Sequence, residues 1–394
     1  MSGTGAGLEG VVSVWLRTAD GRVRAVSVQV RRPAAARALC GRTPDEAMRL
    51  VPLLFSLCGT AQSLAALEAL EGALGLDAHP HTTARALLAE AEAATNHAWQ
   101  VLMDWPARLG EAPQPKELAG LRAAAAAIHP ALYPARDGLH LGGGSLRPDR
   151  AALTAAIAAL REGVERAVFA GPAPTDGAAL ERWAGAGATP AARLTRRLLA
   201  PGMAGFGACG VAALEPHPAG WFGERLSADA AFSENPRQDN APAHTGPLAR
   251  RTAHPLVAAL LARHGSGLAA HAAARLVELA ELAELAERLA SWVERLNDAE
   301  LVPDAEADAT RRGAGSGVVE TARGRLAHWL RLEDGRIADY RIAAPTEWNF
   351  AADGPLAQGL AGTAADAGLA ERAGLLVAAL DPCVAAAITI QDED

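Results

Sequence analysis

Two cysteines near opposite ends of the chain are the residues whose type and setting could do chemistry. Cys58 precedes Gly59, and Cys383 ends an Asp-Pro-Cys turn close to the last residue, Asp394. Chain ends usually fray and gain little from burying sulfur, so core packing explains Cys383 poorly. Thiolates are soft metal ligands. The two cysteines could share a ligand only if the last segment folds back beside the first helices.

The other potential ligands lack metal-binding spacing. The four cysteines, which include Cys40 and Cys209, form no CxxC pair, so a zinc knuckle or a small disulfide scaffold is excluded. The eleven histidines show no HxxxH or HExxH pattern. We interpret Cys40 and Cys209 as structural, although Cys209 in the stretch GFGACG is also compatible with an exposed thiol. No nucleophile elbow, Walker loop or carboxylate pair supports a hydrolase or a transferase.

Composition and charge narrow the class of protein. Half of the 394 residues are hydrophobic, and many of these are alanine, which favours a helix-rich globular protein. The net charge is −8 and the arginines are scattered among carboxylates, so neither nucleic acid nor an anionic membrane is an expected partner. The sequence shows neither a signal peptide nor a membrane-spanning run of about 18 apolar residues. We therefore expect a cytoplasmic protein.

The elements that must position the first cysteine are a hairpin and two helices. Apolar residues alternate on both sides of ADGR, which predicts two antiparallel strands over about residues 10–30. Thr43 is placed as an N-cap, with Pro44 at the first helical position. A second helix follows in AQSLAALEALEGAL and ends at Gly75.

The remaining elements lead to the second cysteine. Further helices are predicted near 83–104, 116–128, 149–166 and 177–199, and GACGVAALEPHPAGWFGERLSADAAFSENPRQDNAPAHTGP reads as a long irregular segment. An amphipathic bundle helix follows, with an apolar stripe formed by Leu282, Leu285, Leu289, Trp292 and Leu296. RRGAGSG is interpreted as a flexible joint, Asp334-Gly335 as the turn of a second hairpin, and LAERAGLLVAALDPC as a final helix.

Motifs at both ends resemble those of nickel-iron hydrogenase large subunits, in the same order. ETARGRLAHWLRLEDGRIADYRIAAPTEWNF, GPLAQGLAG and LDPC occur where that family has an EAPRG-type stretch, a hairpin, a P-S/T-x-WN segment and a terminal DPCxxC pair. GLEGVVSVWLRTADGRV and CGRTPDEAMRLVPLLFSLCGTAQSLAALEALEGALG are similar to the family's opening strand and first cysteine region, and TGPLAR is similar to its VGPLAR. The resemblance covers almost the whole chain and implies the large-subunit fold.

The chain departs from this family at the metal ligands. Large subunits bind nickel and iron through two CxxC pairs, of which this chain keeps only the first cysteine of each, Cys58 and Cys383. Ala386 stands where the second cysteine of the carboxyl-terminal CxxC pair would be, and Thr389 stands where the terminal histidine would be. The two cysteines that this chain keeps match those that bind only nickel in large subunits. Binding iron alone would therefore give these thiolates a different ligand role. The resemblance thus implies no nickel and no hydrogen turnover, and we expect a protein that is not an enzyme.

Other pocket residues of the large subunit are kept. Arg323 in TARG matches the arginine that lies over the metals, Pro345 and Thr346 in PTEWN match the segment beside it, and Glu9 matches a carboxylate of the opening strand. A guanidinium and a hydroxyl can both donate to iron-bound cyanide, which is a strong acceptor. This combination resembles the HupK/HoxV family of hydrogenase accessory proteins, large-subunit relatives thought to hold iron with its carbonyl and cyanide ligands.

The same residues have ordinary structural interpretations. Each thiol taken alone is compatible with a small buried side chain. Arg323 could pair with a carboxylate such as Glu320 or Glu333. Thr346 could only begin a turn, and Glu9 could have a local partner in its strand.

The sequence predicts a mainly α, α+β fold, in which a helical bundle is flanked by β-hairpins. We expect one large-subunit-like domain over 1–394. It consists of an amino-terminal hairpin and first helix (8–55), a bundle (56–300) with an irregular insert near 205–247, and a carboxyl-terminal hairpin with the DPC segment (315–394).

The function that the resemblance implies is accessory to nickel-iron hydrogenase maturation. The protein would act as a scaffold, holding iron as Fe(CN)2CO transiently before transfer. The expected partners are small maturation chaperones of the HypC/HypD type and the apo large subunit. An alternative is a metal-free relative that acts only through protein contacts, as a related subunit of respiratory complex I has lost the metal cysteines.

Overall fold

Helices dominate the computed structural model, which describes residues 10–33, 35–293 and 313–393. The helices are α1 Pro44–Leu54, α2 Gly59–Leu74, α3 Thr82–Trp99, α4 Trp105–Arg108, α5 Pro115–Leu132, α6 Arg150–Val164, α7 Gly177–Ala186, α8 Pro190–Leu198, α9 Ala219–Ala228, α10 Pro247–Arg250, α11 Pro255–His264, α12 Leu268–Val293, α13 Pro345–Asn349, α14 Pro355–Leu360 and α15 Leu369–Leu380. The strands are β1 Val11–Ala19, β2 Arg22–Arg31, β3 Gly313–Thr321, β4 Gly324–Glu333, β5 Arg336–Ala343 and β6 Ala385–Asp392. None of the described helices is long and apolar enough to cross a lipid bilayer.

The first sheet joins the two ends of the chain. Its strand order is β2-β1-β6, and β6 runs parallel to β1 with Val11 beside Ala385 and Val14 beside Ile388. The predicted amino-terminal hairpin is confirmed, whereas the strand β6 was not predicted. Ile388 packs on a core cluster that also contains Val14 of β1 and Leu376 of α15. This packing fixes the segment that carries Cys383.

The second sheet, in the order β3-β4-β5, includes a strand that the sequence did not predict. Residues 313–317 of the stretch interpreted as a flexible joint belong to β3, in which every second residue from Gly313 to Gly317 is glycine, while its first two residues lie outside the described part of the chain. A Cβ at Gly315 would lie 2.0 Å from the carbonyl oxygen of Ala69 in α2, so a side chain does not fit there. The glycines therefore allow the backbone of β3 to contact α2. In the sequence alone, the same glycines are typical of a turn and not of a strand.

The boundaries of the helices follow local sequence signals. The predicted N-cap of α1 is confirmed and forms part of a capping box, because the Thr43 hydroxyl accepts from the Glu46 N–H and the Glu46 carboxylate accepts from the Thr43 N–H. Gly75, in the left-handed conformation at φ 66°, ends α2 as predicted. The single helix predicted near 177–199 is instead two, since Gly187 ends α7 and Thr189 caps α8.

The segment predicted to be irregular contains a helix, α9. Phe222 and Leu226 of α9 are buried in a cluster with Trp329 of β4 and Trp348 of α13. This tertiary packing compensates for the flanking glycine and proline residues, which lowered the helical signal. Of the apolar stripe predicted in α12, the side chains of Leu282, Leu285, Leu289 and Trp292, and the whole of Leu296, lie outside the described residues.

Candidate functional site

Cys58 lies in a 3-10 turn, Ser56–Cys58, between α1 and α2. The carboxylate of Glu92 in α3 accepts from the backbone N–H groups of Thr60 and Ala61, at 2.7 and 2.9 Å. This side chain satisfies two amides of the first turn of α2 and so fixes the cysteine turn. The Gln62 amide Nε2 lies 3.6 Å from the Cys58 sulfur, which is half-buried.

Cys383 is held between α15 and β6. Asp381 ends α15 in the left-handed conformation, at φ 52°, which turns the chain toward β1. The Thr346 hydroxyl donates to the Cys383 sulfur at 3.5 Å and accepts from the Cys383 N–H at 3.3 Å. Pro345, buried at the first position of α13, fixes the backbone that presents this hydroxyl. Thr346 therefore contacts the thiol instead of only beginning a helix.

Arg323 lies in the turn between β3 and β4, with its side chain 10% exposed. Its Nε is 3.5 Å from a carboxylate oxygen of Asp381, so the alternative of a carboxylate partner holds, but the partner is neither Glu320 nor Glu333. Those two carboxylates pair instead with arginines of their own. Although burial acts to lower it, the pKa of Arg323 is raised by Asp381, Cys58 and Cys383.

The two thiols interact electrostatically although they come from opposite ends of the chain. Burial raises the pKa of the Cys58 thiol to about 11. The positive charge of Arg323 opposes this shift, and the negative charges of Glu92 and Cys383 add to it. The Cys58 thiol is therefore protonated at neutral pH when no cation replaces its proton. The structure thus brings Cys58, Cys383, Arg323 and Thr346 together in one cluster, which we call the thiol pocket, while Glu9 lies outside the described residues.

A second arginine, Arg32, lies in this pocket directly after β2, and the sequence did not indicate it. Its Nε lies 3.1 Å from a carboxylate oxygen of buried Glu347. Burial acts to lower its pKa, but the charges of Glu347, Cys383 and Cys58 raise it above the usual value. The available signal was Glu347 itself, a carboxylate in PTEWN that needs a cationic partner when buried.

A buried polar network supports the pocket from α12. Arg275 lies 3.5 Å from Asp381 and 3.2 Å from Nδ1 of His97. Because arginine only donates, this nitrogen accepts, and Nε2 of His97 donates to Glu278 at 3.0 Å. Arg250 binds the same Glu278 through two nitrogens, at 2.6 and 2.7 Å. Burial opposes it, but the contacts with Arg250 and His97 hold the pKa of Glu278 far below its usual range.

The described side chains of this pocket could provide only part of a metal site. The described residues contain no group of three or more His, Cys, Asp and Glu side chains that could hold a metal ion. Two thiols could therefore supply only part of a coordination shell, and other ligands must complete it. Arg323 leaves its buried Nε and Nη1 without a hydrogen-bond partner among the described residues. Acceptor atoms on such a ligand would satisfy them.

Comparison with solved structures identifies the class that this fold defines. The nickel-iron-selenium hydrogenase of Desulfovibrio vulgaris Hildenborough, as isolated and oxidised, matches with a TM-score of 0.66 and 18% identity, over 93% of this chain and 94% of that chain. The nickel-iron-selenium hydrogenase of Desulfomicrobium baculatum, in a reduced, active form, matches with a TM-score of 0.64 and 17% identity, over 93% and 95% of the two chains. A family model described as nickel-dependent hydrogenase matches residues 227–389. The predicted mainly α hydrogenase large-subunit-like fold is therefore confirmed.

Curated relatives then define the family. The hydrogenase expression/formation protein HupK of Azotobacter vinelandii is 32% identical, over 97% of this chain and 99% of its own length. The hydrogenase expression/formation protein HoxV of Cupriavidus necator is 32% identical, over 90% of each chain. The chain belongs to the HupK/HoxV family of hydrogenase expression/formation proteins.

Proposed function

We propose that the protein is a non-catalytic accessory protein of nickel-iron hydrogenase maturation, which holds iron with its carbonyl and cyanide ligands before transfer to the apo large subunit. The observation that carries this proposal is the pocket itself. It places Cys58 and Cys383 with Arg323, whose buried donors lack partners among the described residues. The names of the curated relatives support a role in hydrogenase formation.

Each side chain of the pocket has a part in this function. Cys58 and Cys383 chelate the iron as thiolates, and Thr346 orients Cys383 through its contact at 3.5 Å. Arg323 donates to cyanide, a charged acceptor that strengthens such hydrogen bonds. The charge of bound iron offsets the cost of deprotonating Cys58, whose pKa is about 11 in the metal-free pocket. A large subunit offers four thiolates, shared between iron and nickel, where this chain offers two, so transfer to that acceptor is downhill.

A second candidate function is that of a metal-free interaction module. Two observations favour it: the raised pKa of Cys58, and the lack of a cluster of three metal-ligating side chains in the described part of the chain. Under this alternative the thiols are protonated and the fold serves only for contacts between proteins.

Infrared spectroscopy and iron analysis distinguish the two candidates. The protein is produced together with the maturation proteins and purified without oxygen. Carbonyl and cyanide stretching bands, with substoichiometric iron, are expected from the scaffold. Iron-free protein without these bands would favour the interaction module.

Exposed apolar side chains near Cys58 in the sequence support a proposed docking surface for partners. Of the large apolar side chains that are exposed in the described residues, Leu53, Leu54 and Leu57 directly precede Cys58, and Ile390 follows Cys383 in β6. Exposed apolar residues that are grouped in this way are typical of protein interaction sites. We assign them to docking of a HypC/HypD-type chaperone and, in turn, of the apo large subunit.

Aspartate substitutions test this docking surface. Leu53→Asp together with Leu57→Asp should abolish co-purification of either partner, because charge opposes burial at an interface. Trp99→Asp is the matched control, since Trp99 is also exposed but lies at the end of α3, away from the cysteine turn. Equal recovery of both partners with all variants would exclude this surface.

A further inference from the structure

Arg32 places a second guanidinium at the thiol pocket, and neither family resemblance nor motif pointed to it. The residue follows β2, and its side chain lies beside Glu347, with 23% of its surface exposed. Cys383 is within its hydrogen-bonding reach, and the charges of both thiolates act on it. Its neighbour Arg31, in contrast, is exposed and donates to Gln29 at 3.1 Å. The chain thus turns one of two adjacent arginines inward.

The inward guanidinium retains donors that no protein group uses. Nε and Nη2 of Arg32 are buried without a hydrogen-bond partner among the described residues, as are Nε and Nη1 of Arg323. Glu347 and Asp381 lie 3.1 and 3.5 Å from the respective Nε atoms, but the geometry of neither contact forms a hydrogen bond. Leaving a buried donor unsatisfied is unfavourable, so the pocket favours a ligand that brings acceptors.

Charge decides which iron species suits these donors. The two negative charges of the thiolates neutralise a bare ferrous ion. The ion then brings no anionic acceptor that a guanidinium could bind. Two cyanide ligands add two negative charges with exposed nitrogen acceptors, and each matches one guanidinium. The carboxylates of Glu347 and Asp381 lie beside the Nε atoms and position the arginines, which leaves Nη2 of Arg32 and Nη1 of Arg323 for a ligand.

We infer that Arg32, positioned by Glu347, acts with Arg323 to make the pocket selective for an iron complex that carries anionic diatomic ligands over bare ferrous iron. This inference rests on the proposed scaffold function and names the class of cargo. It assigns Arg32 as a specificity-determining residue and Glu347 as a positioning residue.

Neutralising Arg32 tests the selectivity. Arg32→Gln, produced with the maturation proteins and purified without oxygen, should hold roughly tenfold less cyanide-bearing iron, since a lost charged hydrogen bond of about 1.5 kcal/mol corresponds to that factor. Its residual cyanide bands should shift relative to the wild type. Metal-free Arg32→Gln titrated with ferrous iron alone should bind within about twofold of the wild type. Arg32→Lys, which retains the charge, should recover part of the cyanide-bearing iron.

Arg31→Gln is the matched control and should leave bands, iron content and ferrous binding unchanged. Unshifted bands at wild-type intensity in Arg32→Gln would overturn the inference alone. An equal loss of ferrous binding in that variant would also overturn it, because Arg32 would then support the thiols in general. Wild-type protein without cyanide bands would overturn the scaffold function and this inference with it.

Discussion

At the scale of the residue, two thiols act as a unit only because their surroundings join them. Cys58 and Cys383 each have one polar neighbour from their own half of the chain, Gln62 and Thr346. The charges of both sulfurs act to raise the pKa of Arg323. This shared cation links the two thiols electrostatically, so a change at one sulfur alters the environment of the other.

The first prediction concerns the pair of thiols. Cys58→Ala and Cys383→Ala should each remove nearly all bound iron, and the double variant should lose no more, since groups that chelate together are not additive. Metal analysis of anaerobically purified protein measures this, with circular dichroism to verify folding. Cys40→Ala, at an exposed thiol, is the control and should retain the iron. Iron retained in both single variants would place the ligands elsewhere.

At the scale of the element, β3 and β6 hold the pocket by backbone contacts. The glycines of β3 pack on α2, which follows Cys58, and β6 follows Cys383 and pairs with β1. Neither strand shows a strong strand pattern in its sequence. Both depend on partners that are distant in the chain, so local propensity does not reveal them.

A methyl group at the contact between β3 and α2 should separate these elements. Gly315→Ala places a Cβ 2.0 Å from the Ala69 carbonyl oxygen, and the overpacking should cost about 3 kcal/mol in the free energy of unfolding. Gly120→Ala, in the exposed middle of α5 with nothing near its Cβ, should instead stabilise by about 1 kcal/mol. Urea denaturation measures both. A Gly315→Ala protein as stable as the wild type would contradict the close contact.

The third prediction uses the alternation of β6. Ala386→Cys rebuilds the CxxC spacing with Cys383 and should bind iron more tightly and lower the yield of mature hydrogenase in cells, because a scaffold must release its cargo. Ala385→Cys is the matched control, since successive side chains of a strand point to opposite faces. An Ala386→Cys protein that binds iron more strongly and still supports wild-type maturation would contradict the need for weak binding.

At the scale of the whole molecule, buried neutral histidines link stability to pH. Burial lowers the pKa of His81 and His244 to about 4 and that of His328 to about 3. Their unfolded values are near 6.5, so the unfolded chain binds more protons between pH 6.5 and 4. The stability that these groups contribute is complete above pH 6.5 and is lost as the pH falls through that window.

The fourth prediction follows for one of these groups. Wild-type protein should lose unfolding free energy as the pH falls from 6.5 toward 4, and His244→Gln should lose it less steeply, by up to about 1.4 kcal/mol per pH unit. Urea denaturation at several pH values measures the slopes. Gly120→Ala, which changes no titratable group, is the control and should keep the wild-type slope. Identical slopes for His244→Gln and the wild type would show that His244 is not buried in its neutral form.

The sequence by itself determined the elements whose signals are local. Alternation around ADGR and around Asp334-Gly335, the Thr43 cap and the Gly75 stop gave hairpins and helix ends that the structure contains. Motif order gave the family and the fold, and it singled out Cys58, Cys383, Arg323 and Thr346. These signals are readable because propensity, capping and turn chemistry act between residues a few positions apart.

Only the tertiary structure decided how the pocket is built. It gave Arg323 the partner Asp381 instead of Glu320 or Glu333, turned Arg32 inward, and made strands of the glycine-rich joint and of the chain end. Each of these depends on contacts between segments that are far apart in sequence. Packing decides which distant partner a buried charge or a close backbone contact meets. The local sequence does not identify that partner.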